Sequence, residues 1–227
     1  LADPEPYEPA YAIGPDGEPG AASGGGARDD ASTLAPVVEV GTEAVVAAVA
    51  RCRGPLDAAR LAALLAALDA AARTGAPARL LLPPALVRDT GVERLVDLVA
   101  EATPVSGRLV VTFDGDHLDG ADLHRHVAAL VEAGCHVALD GGNDLDRLAR
   151  IAELPFSYVL VTVPDPTDPA AAEVAAAARR FVHDLGFDPI AAGIATDGQL
   201  DLLRGAGHRW AHGPRWPDLP VVGPDGG

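Results

Sequence analysis

The chain has 227 residues, of which 48% are hydrophobic and only 4% aromatic, so its core must be built from alanine, leucine and valine rather than from rings. It carries 33 acidic and 17 basic residues, a formal charge of −16, and it contains no lysine. Nucleic acids and anionic lipid surfaces need a basic face, so this charge argues against both as partners, and the missing lysine excludes a Schiff base and a phosphate-loop lysine.

The amino-terminal region, residues 1–36, is predicted to hold one strand and one long loop. Residues 7–13 (YEPAYAI) are predicted as a short strand, which Pro9 restricts to the edge of a sheet. Residues 14–36 are rich in glycine, serine, alanine and aspartate and have almost nothing to bury, so we expect a mobile loop. Both belong to the same domain as residues 37–213, and residues 214–227 are predicted to be an irregular tail.

From residue 37 onward, short aliphatic runs alternate with helical patterns. In the first helix, Leu61, Leu64 and Leu68 fall on one stripe, and Gly75 and Pro77 end it. The predicted strands are 37–40, 78–82, 108–113, 135–139, 157–163, 189–192 and 208–211. The predicted helices are 56–73, 92–100, 119–133, 143–152, 169–185 and 196–204.

Repeated strand–helix units predict parallel strands with helices packed outside them. With residues 7–13 the chain has eight strands, and eight strands with helices between them predict a (β/α)8 barrel. The first strand is unusual, because no helix separates it from the second. A flavodoxin-like open sheet is the alternative α/β fold, but it needs fewer strands, so we favour the barrel.

The cysteine content and the hydrophobic runs bear on location. Cys52 and Cys135 lack the CxxC spacing of a zinc site and do not form a disulfide scaffold, which favours a reducing, cytoplasmic compartment. No run of about 18 apolar residues occurs, so no membrane insertion is predicted.

The stretch 123–213 carries motifs that resemble those of the EAL-type cyclic-di-GMP phosphodiesterases. GCHVALDGGNDLDRL is similar to the family's GVRIALDDFGTGYSSL, LPFSYVLVTVPD to LPVDVLKIDRSF, and PIAAGIATDGQLDLLRGAGHRWAHG to VVAEGVETEEQLELLRELGCDYVQGYLF. Upstream, RLVVTFDGD corresponds to LELEITES, ARLLLPPAL to LSVNLSPRQL, and YEPAYAI to YQPIVDL. The resemblance implies a modified, TIM-like (β/α)8 barrel in which one strand near the amino terminus is antiparallel.

Hydrolysis in that family needs two divalent cations held by acids at the barrel mouth, which activate a water and neutralise the phosphodiester. Carried over by position, the paired aspartates of the family become Asp140 and Gly141, so one acid survives. The other positions of the family's site hold Thr112, Leu160, Thr162, Ala192, Ala195 and His212. We therefore expect a vestigial site that holds no metal, uses no cofactor and does not catalyse hydrolysis.

The glutamate for which the family is named has two candidates in this chain. Glu43, in the sequence GTEAV, resembles the family's GxEAL motif, although helix-like residues follow it directly. Glu39, in the sequence VVEV, is the other candidate. With Asp140, either one leaves at most two acids, which are too few to hold two cations.

Other polar residues near the ends of the predicted strands have both a functional and a structural interpretation. Asp114, Asp116, Asp144 and Asp165 follow strands and offer a rearranged metal site, but aspartate after a strand is also the usual cap of the next helix, which we favour. Asp140 and Asn143 flank two glycines and are candidate ligand-binding residues, although a tight turn explains the glycines as well.

A small basic and aromatic patch near the carboxyl terminus, Arg209, Arg215 and Trp216, is a candidate partner-binding surface, since tryptophan and arginine are enriched at interface hot spots.

We predict a catalytically inactive EAL-like domain that acts in bacterial signalling by binding a protein, with a second copy of the chain as one candidate partner. The alternatives are a non-hydrolysing cyclic-di-GMP sensor and a phosphodiesterase with rearranged metal ligands. A protein-binding domain should have its mouth filled by Leu81, Thr112 and Leu160, whereas a sensor should keep an open, polar cleft.

Overall fold

The computed structural model describes residues 32–72, 78–101, 105, 107–118, 121–142 and 144–221. The strands in this part of the chain are β1 (Thr33–Glu39), β2 (Val45–Arg51), β3 (Arg79–Leu82), β4 (Leu109–Phe113), β5 (His136–Asp140), β6 (Tyr158–Thr162), β7 (Asp188–Ala192), β8 (Trp210–His212) and β9 (Leu219–Pro220). The helices are α1 (Ala58–Ala71), α2 (Pro84–Thr90), α3 (Val92–Glu101), α4 (Gly115–Leu118), α5 (Leu123–Glu132), α6 (Leu145–Ile151), α7 (Ala171–Asp184) and α8 (Asp197–Ala206).

The strands close into a barrel. Strands β2 to β8 run parallel, and each pairs with the next one along the chain. Strand β1 completes the ring by pairing antiparallel with β2 on one edge and with β8 on the other. The predicted α/β barrel with one antiparallel strand near the amino terminus is therefore confirmed.

The core has two layers, one inside the barrel and one between the strands and the helices. Inside, the side chains of Val37, Val49, Leu81 and Val110 belong to one buried cluster with those of the later strands. Outside, the leucine stripe of α1 packs in the larger cluster that surrounds the barrel. Because both faces of the parallel strands β3 to β8 are mostly buried, these strands are aliphatic runs, which is why the sequence revealed them.

The first hairpin differs from the predictions in two ways. Residues 33–36, predicted as the end of a mobile loop, form the first half of β1, and residues 45–51, which have a helix-like composition, form β2. Alanine favours a helix by propensity, but β2 gains an antiparallel ladder with β1 and a parallel one with β3, and this pairing decides its conformation. The predicted strand 7–13 lies outside the described residues, so the strand that completes the eight is β2.

Pro36 lies inside β1, where a missing N–H is normally costly. On the edge of β1 that faces the carboxyl-terminal strands, β8 pairs with Val37, Val38 and Glu39, and β9 pairs with Thr33 and Leu34. The interval between those two ladders falls at residues 35–36, an interruption of the kind at which a strand tolerates proline.

Helices α2 and α4 and the strand β9 were also not predicted from the sequence. Helix α2 begins with Pro84 in its first turn, where the absent N–H breaks no helical hydrogen bond. Strand β9 lies within residues 214–227, which were expected to be irregular throughout. Among the described helices, none combines the length and the hydrophobicity that crossing a bilayer requires.

Candidate active site at the barrel mouth

The parallel strands end together at one rim of the barrel, here called the mouth. It consists of the carboxyl ends of β2 to β8 and of the residues that follow them. Enzymes built on such barrels place their reactive groups at this end, because the loops there vary without disturbing the core. A catalytic site of that kind in this chain has to be built from side chains at the mouth.

Asp140 is the acid that the sequence analysis placed in the vestigial site, and the structure puts it at the end of β5. Burial, with a smaller contribution from the nearby negative charge of Asp114, raises the pKa of its carboxyl to about 6. A backbone hydrogen bond from Gly141 and the charge of Arg147 act in the opposite direction and do not compensate. Asp140 is thus a carboxyl group for which the charged form is disfavoured.

Asp114 follows β4 and is held by two neighbours. Its carboxylate accepts hydrogen bonds from Arg88 Nη1 at 2.6 Å and from the His117 ring, whose Nδ1 lies at 2.8 Å. Burial raises the pKa of Asp114, but the hydrogen bonds from His117 and Arg88 outweigh burial and hold the pKa well below its usual range. The oxygens of Asp114 are therefore occupied by hydrogen bonds from an arginine and a histidine. Arg88 lies in α2, a helix that was not predicted from the sequence.

The guanidinium of Arg147 lies over two glycines of the mouth, a feature that the sequence analysis also missed. A Cβ added to Gly115 would lie 2.6 Å from Arg147 Nη2, and one added to Gly141 would lie 2.8 Å from Nη1. Arg147 Nε also pairs with a carboxylate oxygen of Asp144 at 3.2 Å. Because these two residues have no side chain, the positively charged guanidinium of Arg147 fits beside Asp140. The signal for this contact in the sequence was an arginine, Arg147, three residues after the capping Asp144.

The glycine-rich turn after β5 is explained by packing and by capping. Gly141 has φ +96°, which side chains rarely adopt, and a Cβ on the buried Gly142 would lie 2.1 Å from Val159 Cγ1. The Asp144 carboxylate accepts the N–H groups of Asp146 and Arg147 and so caps α6, as predicted. Asn143, the second candidate ligand-binding residue, lies outside the described residues.

The structure brings the remaining vestigial positions to the strands that form the mouth, apart from Ala195 and Glu43. Thr112 lies in β4, Leu160 and Thr162 in β6, Ala192 ends β7 and His212 ends β8. Thr162 pairs with Ala192, and Ala192 pairs with His212, so these three form one row. None of these five residues offers a carboxylate, and burial, together with the charge of Arg51, lowers the pKa of His212 to about 4, so its ring is neutral at pH 7.

Ala195 lies in the turn that leads from β7 into α8. Its N–H donates to Gln199 Oε1 at 2.8 Å. Thr196 and Gln199 form a reciprocal capping box at the start of α8, which is why the threonine and glutamine of this motif are three residues apart. Both side chains stabilise the helix terminus.

Neither candidate for the eponymous glutamate lies at the mouth. Glu39 ends β1 and Glu43 lies in the turn that joins β1 to β2, and this turn is at the amino-terminal end of β2, opposite Arg51. The Glu43 carboxylate accepts hydrogen bonds from Arg204 at 3.0 Å and Arg215 at 2.7 Å, and one from Trp216. Glu43 thus anchors the carboxyl-terminal segment and is separate from Asp140.

The predicted partner-binding residues are engaged by different neighbours within the chain. Arg215 and Trp216 are engaged by Glu43, and Arg215 also pairs with Asp197. Arg209 instead lies over the ring of Trp210, 5.0 Å from its centroid. The contacts of Arg215 and Trp216 explain both residues as an internal link between the first hairpin and α8.

A cation site would require several oxygen, nitrogen or sulfur ligands on one centre. Among the residues that the structure describes, no group of three or more histidine, cysteine, aspartate or glutamate side chains is arranged to hold a metal ion. Asp116 lies in the short α4, and Asp165 accepts hydrogen bonds from the backbone and hydroxyl of Thr167. Asp114 is instead paired with Arg88 and His117, and Asp144 with Arg147.

Comparisons with known proteins agree with this architecture. A family model described as EAL domain matches residues 39–216. The EAL domain of Mycobacterium smegmatis DcpA superposes with a TM-score of 0.66 at 20% identity, covering 85% of this chain and 93% of that one. The PaMucR phosphodiesterase in a c-di-GMP complex has a TM-score of 0.68 at 15% identity, with 86% and 98% covered.

A third solved structure, an EAL domain protein from Listeria monocytogenes EGD-e, has a TM-score of 0.62 at 16% identity and covers 85% of this chain and 89% of that one. No curated protein matches the chain significantly. At these identities the structural likenesses show a shared fold.

Proposed function

The chain belongs to the EAL domain family, and from this premise we propose that it is a regulatory domain that does not hydrolyse cyclic-di-GMP and acts by binding another protein. The observation that carries the proposal is the charge arrangement at the mouth, where the Arg147 guanidinium lies against Gly141, the position at which the family has the second of its paired aspartates.

The lack of catalysis is argued from ligands. Two-cation hydrolysis of a phosphodiester needs carboxylates that are free to bind metal and a water activated between the ions. In this chain Asp140 is the one acid retained, Asp114 already accepts bonds from Arg88 and His117, and Arg147 brings a positive charge that repels a second cation. The residues present do not fit the family's metal pair.

The choice of a protein as the partner is supported by how the barrel interior is filled. Leu81, Thr112 and Leu160 are each at most 3% exposed, so the interior of the barrel is packed at these three positions. A nucleotide held within the barrel would have to displace aliphatic side chains from a close-packed core, which is costly.

The test of catalysis is an incubation of the purified chain with cyclic-di-GMP and Mn²⁺ or Mg²⁺, followed by chromatography of the linear dinucleotide. We expect no product above the protein-free control. Metal-dependent product that disappears in Asp140→Asn would contradict the proposal and establish a phosphodiesterase with rearranged ligands.

A second candidate function is a cyclic-di-GMP sensor, which the arginines at the mouth favour. Guanidinium groups bind phosphate oxygens in pairs, and Arg88 and Arg147 both lie beside the mouth acids. Calorimetric titration of cyclic-di-GMP distinguishes the two functions. A flat trace at about 100 μM protein supports protein binding, whereas a saturating isotherm that Arg147→Ala weakens would replace it with the sensor.

A further inference from the structure

The amino-terminal end of the barrel holds a cavity of about 340 Å³, counting the part that is open to solvent. Arg79, Tyr158 and Trp210 line it, and each is the first residue of its strand. The cavity therefore opens at the end of the barrel opposite the mouth. A ligand here would not occupy the position of a barrel active site.

The lining combines an apolar floor with two aromatic walls. The Tyr158 and Trp210 rings are 5.7 Å apart between centroids, with a 59° angle between their planes. The aliphatic lining residues are Val37, Val46, Ala47, Leu81, Val110 and Ile190. A cavity that is lined in this way and partly open to solvent suits one ring or a short chain, whose polar end lies at the opening.

The charge at this opening is unusual for so acidic a chain. The Arg79 guanidinium lies 5.7 Å from the centroid of the Tyr158 ring, and the Arg209 guanidinium lies 5.0 Å from that of Trp210. Within the described part of the chain, neither guanidinium is paired with a carboxylate, although Asp188 is close enough to influence Tyr158. With 33 acids to 17 bases in the sequence, an arginine at a cavity without an acidic partner points to an external anion.

We propose that this cavity binds a small monocarboxylate with an aromatic or short aliphatic body. The carboxylate pairs with Arg79, and the body lies between Tyr158 and Trp210 on the aliphatic floor. A guanidinium offers two parallel N–H donors to a carboxylate, and that of Arg79 lies beside the Tyr158 ring, against which the body of the ligand packs. This cavity and Asp140 lie at opposite ends of the barrel. The cavity is therefore an effector site, and the proposal holds whether or not the domain hydrolyses a nucleotide.

The experiment uses benzoate as the probe and the neutral benzamide as its isosteric control. The chain has two tryptophans, so in Trp216→Phe the emission comes from Trp210 alone. We expect benzoate to change this emission in a saturable way and to bind at least about tenfold more tightly than benzamide, which corresponds to one charge-assisted hydrogen bond. Arg79→Gln should lose that preference, whereas Arg180→Gln, which removes the same charge from an exposed position on α7, should keep it.

Equal binding of benzoate and benzamide, or an unchanged preference in Arg79→Gln, would overturn the assignment of the carboxylate to Arg79. The absence of saturation up to about 10 mM, a free energy near −3 kcal/mol, would overturn the site as a whole. Because Trp216 is bonded to Glu43, the same comparison is repeated by thermal unfolding of the chain with both tryptophans. There benzoate should raise the melting temperature more than benzamide does, and Arg79→Gln should abolish the difference; equal shifts would again overturn the proposal.

Discussion

Replacing Asp140 with asparagine should stabilise the protein at neutral pH. Asparagine keeps the shape of the side chain and an oxygen that accepts the Gly141 N–H, but it removes a charge that burial and Asp114 disfavour. In a functioning metal site the same substitution would remove a ligand and the stabilisation that a bound cation provides. The direction of the effect therefore bears on the proposed function.

The magnitude follows from the pKa of Asp140, which burial raises from 3.8 to about 6. At about 1.4 kcal/mol for each tenfold change in the ionisation constant, the ionised carboxylate costs the folded state at most about 3 kcal/mol. The folded state binds the proton more tightly than the unfolded state, so stability falls as pH rises through this interval and is level above it. Asp140→Asn should thus gain up to about 3 kcal/mol at pH 7.5 and about half of that at pH 5.0.

The assay is urea unfolding of the wild type and of Asp140→Asn at both pH values, without divalent cations and then with Mn²⁺. Asp97→Asn, an exposed position on α3, is the matched control and should change stability by less than about 0.5 kcal/mol. Adding Mn²⁺ should leave the difference in unfolding free energy between the wild type and Asp140→Asn unchanged. A less stable Asp140→Asn, a gain that does not shrink at pH 5.0, or a wild type selectively stabilised by Mn²⁺ would refute the reasoning.

Three further predictions concern the rest of the fold. Glu43→Gln should lower the free energy of unfolding in urea by only about 1 kcal/mol, because the ion pairs with Arg204 and Arg215 are partly exposed. It should also shift the tryptophan emission, because Trp216 donates a hydrogen bond to Glu43, and an unchanged stability would contradict the anchoring role of Glu43. Gly142→Ala should cost about 1–3 kcal/mol through the contact with Val159, whereas Gly205→Ala, with nothing within 4 Å of its added Cβ, should gain about 0.5–1 kcal/mol, and equal effects would contradict the packing argument. Burial raises the pKa of Cys135 to about 11, so its alkylation at pH 8 should be about a hundredfold slower in the folded than in the unfolded chain, and equal rates would show that it is accessible.

The sequence was informative wherever local chemistry and long-range packing favoured the same conformation. The parallel strands β3 to β8 are buried on both faces, and glycine or a capping side chain marks many helix ends, so their order was readable without coordinates. Thr196 and Gln199 carry both the resemblance to the family and a capping box, so local geometry preserves that motif. Strand β2 was not predicted, because its alanines favour a helix, whereas its conformation depends on pairing with β1 and β3.

At the candidate active site, the contribution of the sequence and that of the tertiary structure are easier to tell apart. The resemblance in the sequence by itself predicts that Asp140 is retained and that Gly141 stands in place of a second aspartate, because the type of side chain at each position is a local property of the chain. Only the tertiary structure showed that Arg147 covers Gly115 and Gly141, that Arg88 holds Asp114, and that Glu43 faces Arg215 at a distance from Asp140. The reason is physical: charge pairing and burial depend on distances between residues far apart in the chain, and closure of the barrel sets those distances.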